Sequence, residues 1–417
     1  MPGKHFAGET MTATLKRLSL LIMLFLFAAC APTVTEPGVN ILPEETLLPQ
    51  DVPDFEPTAT LSSLERYYVP PYYSPFYGQV VEDSKSENGL LIYSTLGYEN
   101  WEPVIRAFQE HYPWVNVISL ELEPGEVFER YSQENESGLR TADIIVSSDI
   151  AAWQDFTQQG QVLPYRSQED SYLPSWVKTG AGIYAMSSDP LLIIYNKQLV
   201  ENPPVSMQDV GILSSAFTTR YASNIATYDI AMSQSGFAVN WFWVKNQGEA
   251  GWNILKAIGQ ADPVLGTSER QMVEDIGAGD RFLAYFVSAI AVLPRLQEYP
   301  DLGWSYIQDG QPIVLQSMAI TQANSSPNSA KLMSDFLLSQ EGQLTLAQGG
   351  LTPYRADIAR VSPLHIEKVS EIVGQDKLIF LAFDPQLDNL ASTAEFVQRW
   401  DAALRKPISF EQETPNP

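Results

Sequence analysis

Twice in the first half of the chain, an apolar strand-forming run ends in small hydroxyl residues and passes at once into a helical pattern. Gly89-Leu90-Leu91-Ile92-Tyr93-Ser94 leads through Thr95-Leu96-Gly97 into residues 99–112, where Trp101, Val104, Ile105, Phe108 and Tyr112 recur near helical spacing. Val115-Asn116-Val117-Ile118-Ser119-Leu120 reads as the next strand, so this part opens as β-α-β. The run Thr141-Ala142-Asp143-Ile144-Ile145-Val146-Ser147-Ser148-Asp149 repeats the arrangement and precedes a helix through Trp153 and Phe156. Together they predict an α/β fold. Open α/β sheets bind ligands where strands give way to helices, because the unpaired first amides of each helix converge there. Ser94, Thr95 and Gly97 at one strand end, and Ser147 and Ser148 at the other, are therefore candidate ligand-binding residues.

The amino-terminal end reads as a secretory signal over residues 1–29, with Met11 as an alternative start. Lys16 and Arg17 precede an apolar run from Leu18 to Ala29 that is short for a membrane span. Phe27-Ala28-Ala29-Cys30 resembles a bacterial lipobox, although Phe27 stands where an aliphatic residue is usual. Cys30 is thus the expected lipidation site, and the location is extracytoplasmic, with the chain anchored to the cell membrane. As the chain's single cysteine, it excludes a disulfide framework and a thiolate metal site. Residues 30–87 read as a proline-rich acidic tether with Arg66 and Lys85 its only basic residues. Within it Tyr67–Tyr77 carries too many aromatics to stay solvated and is expected to pack on the body or a partner. The whole chain holds 25 Lys and Arg against 50 Asp and Glu, which excludes nucleic acid as a partner.

Shorter segments carry a resemblance to a known family. Leu91-Ile92-Tyr93-Ser94, Tyr112-Pro113-Trp114-Val115-Asn116-Val117, Ala142 to Asp149, Leu192-Ile193-Ile194-Tyr195-Asn196-Lys197, Ser233-Gln234-Ser235-Gly236, Gly277-Ala278-Gly279-Asp280, Ala330 to Gln343 and Pro353-Tyr354-Arg355-Ala356-Asp357 follow one another in a shared order. The chain in this respect resembles the ferric-iron-type solute-binding proteins of ABC transporters. The resemblance implies a type II periplasmic-binding-protein fold with two lobes, each a mixed sheet flanked by helices, and hinge strands between them. By comparison, 88–197 plus 302–355 would form lobe one, 198–301 plus 356–405 lobe two, and 406–417 a tail. A small-molecule ligand would close the lobes like a clamp, and an ABC permease would receive it. A monomer is the expected state, and no cofactor is expected.

Iron-binding members of the family hold the metal with an adjacent pair of tyrosines on lobe two. The corresponding stretch here, Phe282 to Ala291, lacks such a pair, so no metal site is assigned. Tyr195 and Tyr285 remain as candidate ligand-binding residues. The family's Ser-Gly turn, matched by Ser235-Gly236 with Ser233 just before it, offers hydroxyl and backbone donors to an oxyanion. These residues point to an anionic ligand such as a phosphonate, phosphate ester or carboxylate. The plainer alternative is that they are caps and turn formers. Tyr98, Trp153, Tyr184, Trp241 and Phe286 are candidate wall residues, and Arg270 and Arg281 the basic candidates nearby.

Catalysis finds no support in the motifs. Ser235 does not sit in a Gly-x-Ser-x-Gly elbow, and His111 and His365 have no recognisable partners. The remaining alternatives are an iron-importer component and a ligand-sensing lobe pair that feeds a signalling receptor.

Overall fold

The computed structural model describes residues 69–405 apart from Pro124 and Phe383. They belong to the unit Leu61–Pro417. The expected signal, Cys30, the first part of the tether and the tail 406–417 lie outside the described residues.

The strands, in chain order, are β1 Leu90–Ser94, β2 Val117–Glu121, β3 Ile144–Ser147, β4 Lys178–Gly180, β5 Ile183–Asn196, β6 Ile225–Tyr228, β7 Val264–Gly266, β8 Leu283–Ser288, β9 Leu302–Ser305, β10 Gln311–Ile320 and β11 Leu378–Phe380. They join in the order β2-β1-β3-β10-β5-β8-β6-β7, with β11 beside β10 and β4 and β9 beside β5. The two β-α units read from the sequence form as expected. Helix Tyr98–His111 follows β1 and buries Trp101, Val104 and Phe108. Helix Ile150–Gln158 follows β3, buries Trp153 and Phe156, and is capped by Asp149, whose carboxylate accepts from the Ala152 amide at 3.0 Å.

β5 divides the fold into two lobes. Its first half pairs antiparallel with β10 as far as Pro190 opposite Ile313. Its second half pairs antiparallel with β8 from Leu191 opposite Ser288, and with β9 from Ile193 opposite Ser305. Proline cannot donate to a ladder, so it is confined to strand edges and breaks. Pro190 stands where β5 leaves one partner and meets the next, the one place along this strand where the missing N–H costs little. The result is a two-lobe periplasmic-binding-protein fold, with strands running between the lobes.

Strand pairing shifts two expected boundaries. β9 bonds to the second half of β5, which places residues 302–305 with the second sheet rather than with lobe one. β11 bonds to Gln311–Ile313 at the start of β10, which ties residues 378–380 to the strand that returns to the first sheet. Helix Leu390–Leu404 packs on helix Glu249–Gly259, where a Cβ on Gly259 would lie 2.0 Å from the Ala403 carbonyl oxygen.

Residues before the expected lobe boundary at 88 already pack on the body. Residues 77–84 form a helix against helix Pro327–Leu338, and Tyr73 and Tyr77 are buried. Their hydroxyls reach buried carboxylates: Tyr73 donates to Glu169 Oε1 at 2.6 Å, and Tyr77 to Asp335 Oδ2 at 2.7 Å. The tether reading fails over this stretch because its aromatics find partners far away in the sequence.

Candidate functional site

The pairing directions aim two sets of strand ends at each other. β1 and β2 run parallel, as do β1 and β3, and β3 runs antiparallel to β10, which is antiparallel to β5. β1 and β3 therefore run the way β5 runs, toward the second sheet. β8 is antiparallel to β5, while β6 lies parallel to both β8 and β7, so these three run back toward the first sheet. The carboxyl ends of both sheets thus face the crossover at Asp189-Pro190. One side presents Ser94 and Ser147; the other presents Tyr228, Gly266 and Ser288. This is the position where α/β sheets bind ligands.

The predicted residues divide over this frame. Ser94 and Ser147 stand at the facing edge but are buried and locally engaged. Ser94 Oγ accepts from the Leu96 amide at 3.0 Å and the Trp101 indole at 3.1 Å, and Ser147 Oγ accepts from the Asp149 amide at 3.1 Å. Thr95 and Ser148 beside them are half-buried. Gly97 caps helix Tyr98–His111, and its amide donates to Asn100 Oδ1 at 3.2 Å. Across the gap, Ser233 caps helix Gln234–Gln247 by accepting from the Gly236 amide at 3.0 Å, while Ser235 is exposed on the first turn. Gly236 is required by packing, since a Cβ there would lie 2.3 Å from Tyr228 Cβ.

Three placements differ from expectation. Tyr195 pairs with Leu283 at the amino end of β8, the far end of the second sheet, and its ring lies over Gly303. It is therefore not brought to the facing edge, because the register of β5 carries it past. Tyr285 is wholly buried inside β8, and burial pushes its phenol above the ordinary range. Arg281 also lies at the far end, where its guanidinium donates to Asp275 Oδ2 and the Ser223 carbonyl, both at 2.9 Å.

Phe286, a candidate wall residue, is wholly buried in β8 and has an unusual backbone. The β5–β8 register passes from Leu192–Val287 to Ile193–Tyr285, leaving Phe286 as a bulge with φ of 62°. A non-glycine residue in that region costs about 1–3 kcal/mol and persists where surroundings enforce it. Here Trp243 and Tyr285 hold the ring edge-on at 5.8 and 5.2 Å.

The facing edge also collects carboxylates that sequence reasoning missed. Asp189, buried at the crossover, accepts from Ser288 Oγ at 2.6 Å and from the Ile290 amide at 3.4 Å. Burial raises its pKa to about 8; the Ser288 hydroxyl opposes that rise and nearby Glu269 adds to it. Glu269 opens helix Glu269–Ala278 after β7 and accepts from the Tyr228 hydroxyl. Desolvation raises its pKa too, with Tyr228 and the Ser288 backbone acting against the shift. Ser288 therefore stands between two carboxylates. From the first lobe Glu99 reaches Arg295 at 2.7 Å, joining helix Tyr98–His111 to the segment after β8. The one sequence signal for Asp189 was the polar group Ser187-Ser188-Asp189-Pro190 inside an apolar strand.

Comparison with known proteins gives a consistent picture. Residues 94–344 match the family described as bacterial extracellular solute-binding protein. No curated protein matches the sequence. Among solved structures, the substrate-binding protein of an ABC transporter from Agrobacterium tumefaciens superposes with a TM-score of 0.67 at 22% identity, over 78% of this chain and 97% of that one. Iron-bound HitA from Pseudomonas aeruginosa gives 0.58 at 14% identity, over 76% and 99%. The periplasmic binding protein AfuA from Actinobacillus pleuropneumoniae, with fructose-6-phosphate bound, gives 0.58 at 18% identity, over 76% and 99%. These likenesses establish the fold.

Proposed function

The chain belongs to the bacterial extracellular solute-binding protein family of ABC transporters, and on that premise we propose that it captures one small solute between its lobes and hands it to a membrane permease. The observation that carries this reading is the single crossing of β5, which points the carboxyl ends of β1 and β3 at those of β6, β7 and β8. A solute in that gap touches both lobes only when they are closed, so binding shifts the population toward closure. The protein acts without catalysis, as a monomer outside the cytoplasm, held to the membrane by a lipid on Cys30. Among the described residues no helix is long and apolar enough to cross a membrane.

The test is purification of the full chain from its own host without denaturation, followed by mass spectrometry of what heat releases from it. A stoichiometric small molecule is expected, and adding it back should raise the melting temperature and lower the radius of gyration in solution scattering. A protein that carries no such molecule, and that gains no stability from fractionated host medium, would sink the reading.

A further inference from the structure

Two polar side chains at the crossover are left unsatisfied. Ser187 Oγ and Gln316 Oε1 are buried and have no hydrogen-bond partner among the described residues. Ser187 is fully buried and Gln316 is 6% exposed. They are direct neighbours across β5 and β10. Side chains alternate along a strand, so both share a face with Asp189, two residues further along β5. Asp189 in turn lies opposite Val314, which makes Gln316 its diagonal neighbour at about 7–8 Å, a gap that a small polar group spans.

The charge around these groups is one-sided. An amide oxygen can only accept, so Gln316 Oε1 calls for a donor. The donors at the start of residues 289–292 are already turned to Asp189, and the Tyr228 hydroxyl is turned to Glu269. Arg295, a cation whose charge acts on Glu269, is bound to Glu99. What the crossover has left to offer is an amide, a hydroxyl and two carboxylates, with no cation among them. Buried unsatisfied groups call for an explanation, and a bound group is one of the few available.

We propose that the solute carries a protonated nitrogen, whose N–H groups are accepted by Gln316 and Ser187 and whose charge is balanced by Glu269 and by Asp189, which gives up its proton to solvent as the cation binds. The inference rests on the clamp reading above and names the chemical class that clamp takes. It differs from the anionic ligand expected from the hydroxyl-rich strand ends, where Ser94, Ser147 and Ser233 accept from local amides.

The experiment is a thermal-shift and calorimetric series on the full chain with agmatine, putrescine and ethanolamine as N–H cations. Choline serves as a cation without N–H groups, glucose as a neutral probe, and citrate and fructose 6-phosphate as anions. At least one N–H cation should raise the melting temperature, with choline weaker than ethanolamine. Glu269→Gln and Gln316→Leu, the first half-buried and the second close in volume, should each weaken that binding tenfold or more. Stabilisation by citrate, fructose 6-phosphate or glucose alone overturns the charge assignment and leaves the clamp reading standing. Cation binding that both variants leave unchanged overturns the assignment of these residues. No stabilisation by any probe overturns the proposal as well, and the solute recovered from native purification then decides the clamp reading separately.

Discussion

The hydroxyl of Tyr77 donates to Asp335 Oδ2 at 2.7 Å, joining residues 258 positions apart in the chain. Tyr165 donates to the same oxygen at 2.6 Å, while Ser167 Oγ at 2.5 Å and the Gln168 amide at 3.0 Å serve the other. A buried carboxylate with four donors is a fixed point, and here it secures the segment before β1. Burial nonetheless lifts the Asp335 carboxyl to about 6. Replacing Tyr77 with Phe removes one charge-assisted bond, and about 1.5–3 kcal/mol of stability should go with it. Urea denaturation measures the loss, and limited proteolysis should show earlier cleavage around residues 69–84. Unchanged cleavage would mean that the segment is held by ring packing alone.

A second carboxylate is held by an ion pair. Glu169 Oε2 meets Arg355 at 2.5 Å, both side chains are nearly inaccessible, and Tyr72 and Tyr73 donate to its other oxygen. Removing one partner of a buried pair strands the other charge, which costs about 3–5 kcal/mol. Arg355 keeps Asp357, at 2.7 and 3.0 Å, so Glu169→Gln should lose less than that full cost in denaturant unfolding. The double variant Glu169→Gln/Arg355→Met should lose less than the sum of the singles, because neither charge is then left alone. Additive losses would show that the two side chains contribute independently.

Asp189 gives a pH signature. Its pKa in the fold, about 8, lies above the ordinary carboxylate value, so the folded state holds a proton that the unfolded chain releases. Stability from this group is full below the ordinary carboxylate range and is lost as pH rises toward 8. The margin of wild type over Asp189→Asn should therefore shrink between pH 6 and pH 9 by on the order of 2 kcal/mol. Thermal melts at closely spaced pH values measure it. A margin that is constant across the range would mean that Asp189 is ionised throughout, held so by Ser288 and the amides that follow.

Gly236→Ala tests the floor beneath Tyr228. The added methyl would lie 2.3 Å from Tyr228 Cβ and 2.7 Å from Cγ, so the ring must shift. Overpacking of this sort costs about 1–3 kcal/mol. The shift should also disturb the Tyr228–Glu269 bond, so solute affinity should fall together with the melting temperature. Loss of stability with full affinity would show that the carboxylate does not depend on the tyrosine's position.

What the sequence made legible follows from the range of the interactions involved. β1, β3 and their helices were readable because strand runs, caps and helical spacing are local. Tyr195 was misplaced because its position depends on how far β5 slides past β8, and no local pattern records that register. Asp189 escaped notice because Ser187-Ser188-Asp189-Pro190 has the composition of a turn, and only the change of partners at Pro190 makes it part of a continuous strand. Glu269 looks like an ordinary acidic residue in the first turn of a helix; its burial comes from Tyr228 and Ser288, on other strands. Tyr73 and Tyr77 sit in a stretch with no period of its own, so their order comes entirely from Glu169, Asp335 and the helix beneath them.

The place of β10 between β3 and β5 bears on how the protein is made. When the chain has emerged only as far as Asn196, β3 and the first half of β5 have no strand between them, and each presents an unpaired edge. The whole of the second sheet, β9 included, is then synthesised before Gln311–Ile320 arrives to fill the space. The earliest-made sheet is thus among the last completed, and during its export the nascent protein depends on keeping those two edges apart from other chains until residue 320 has appeared.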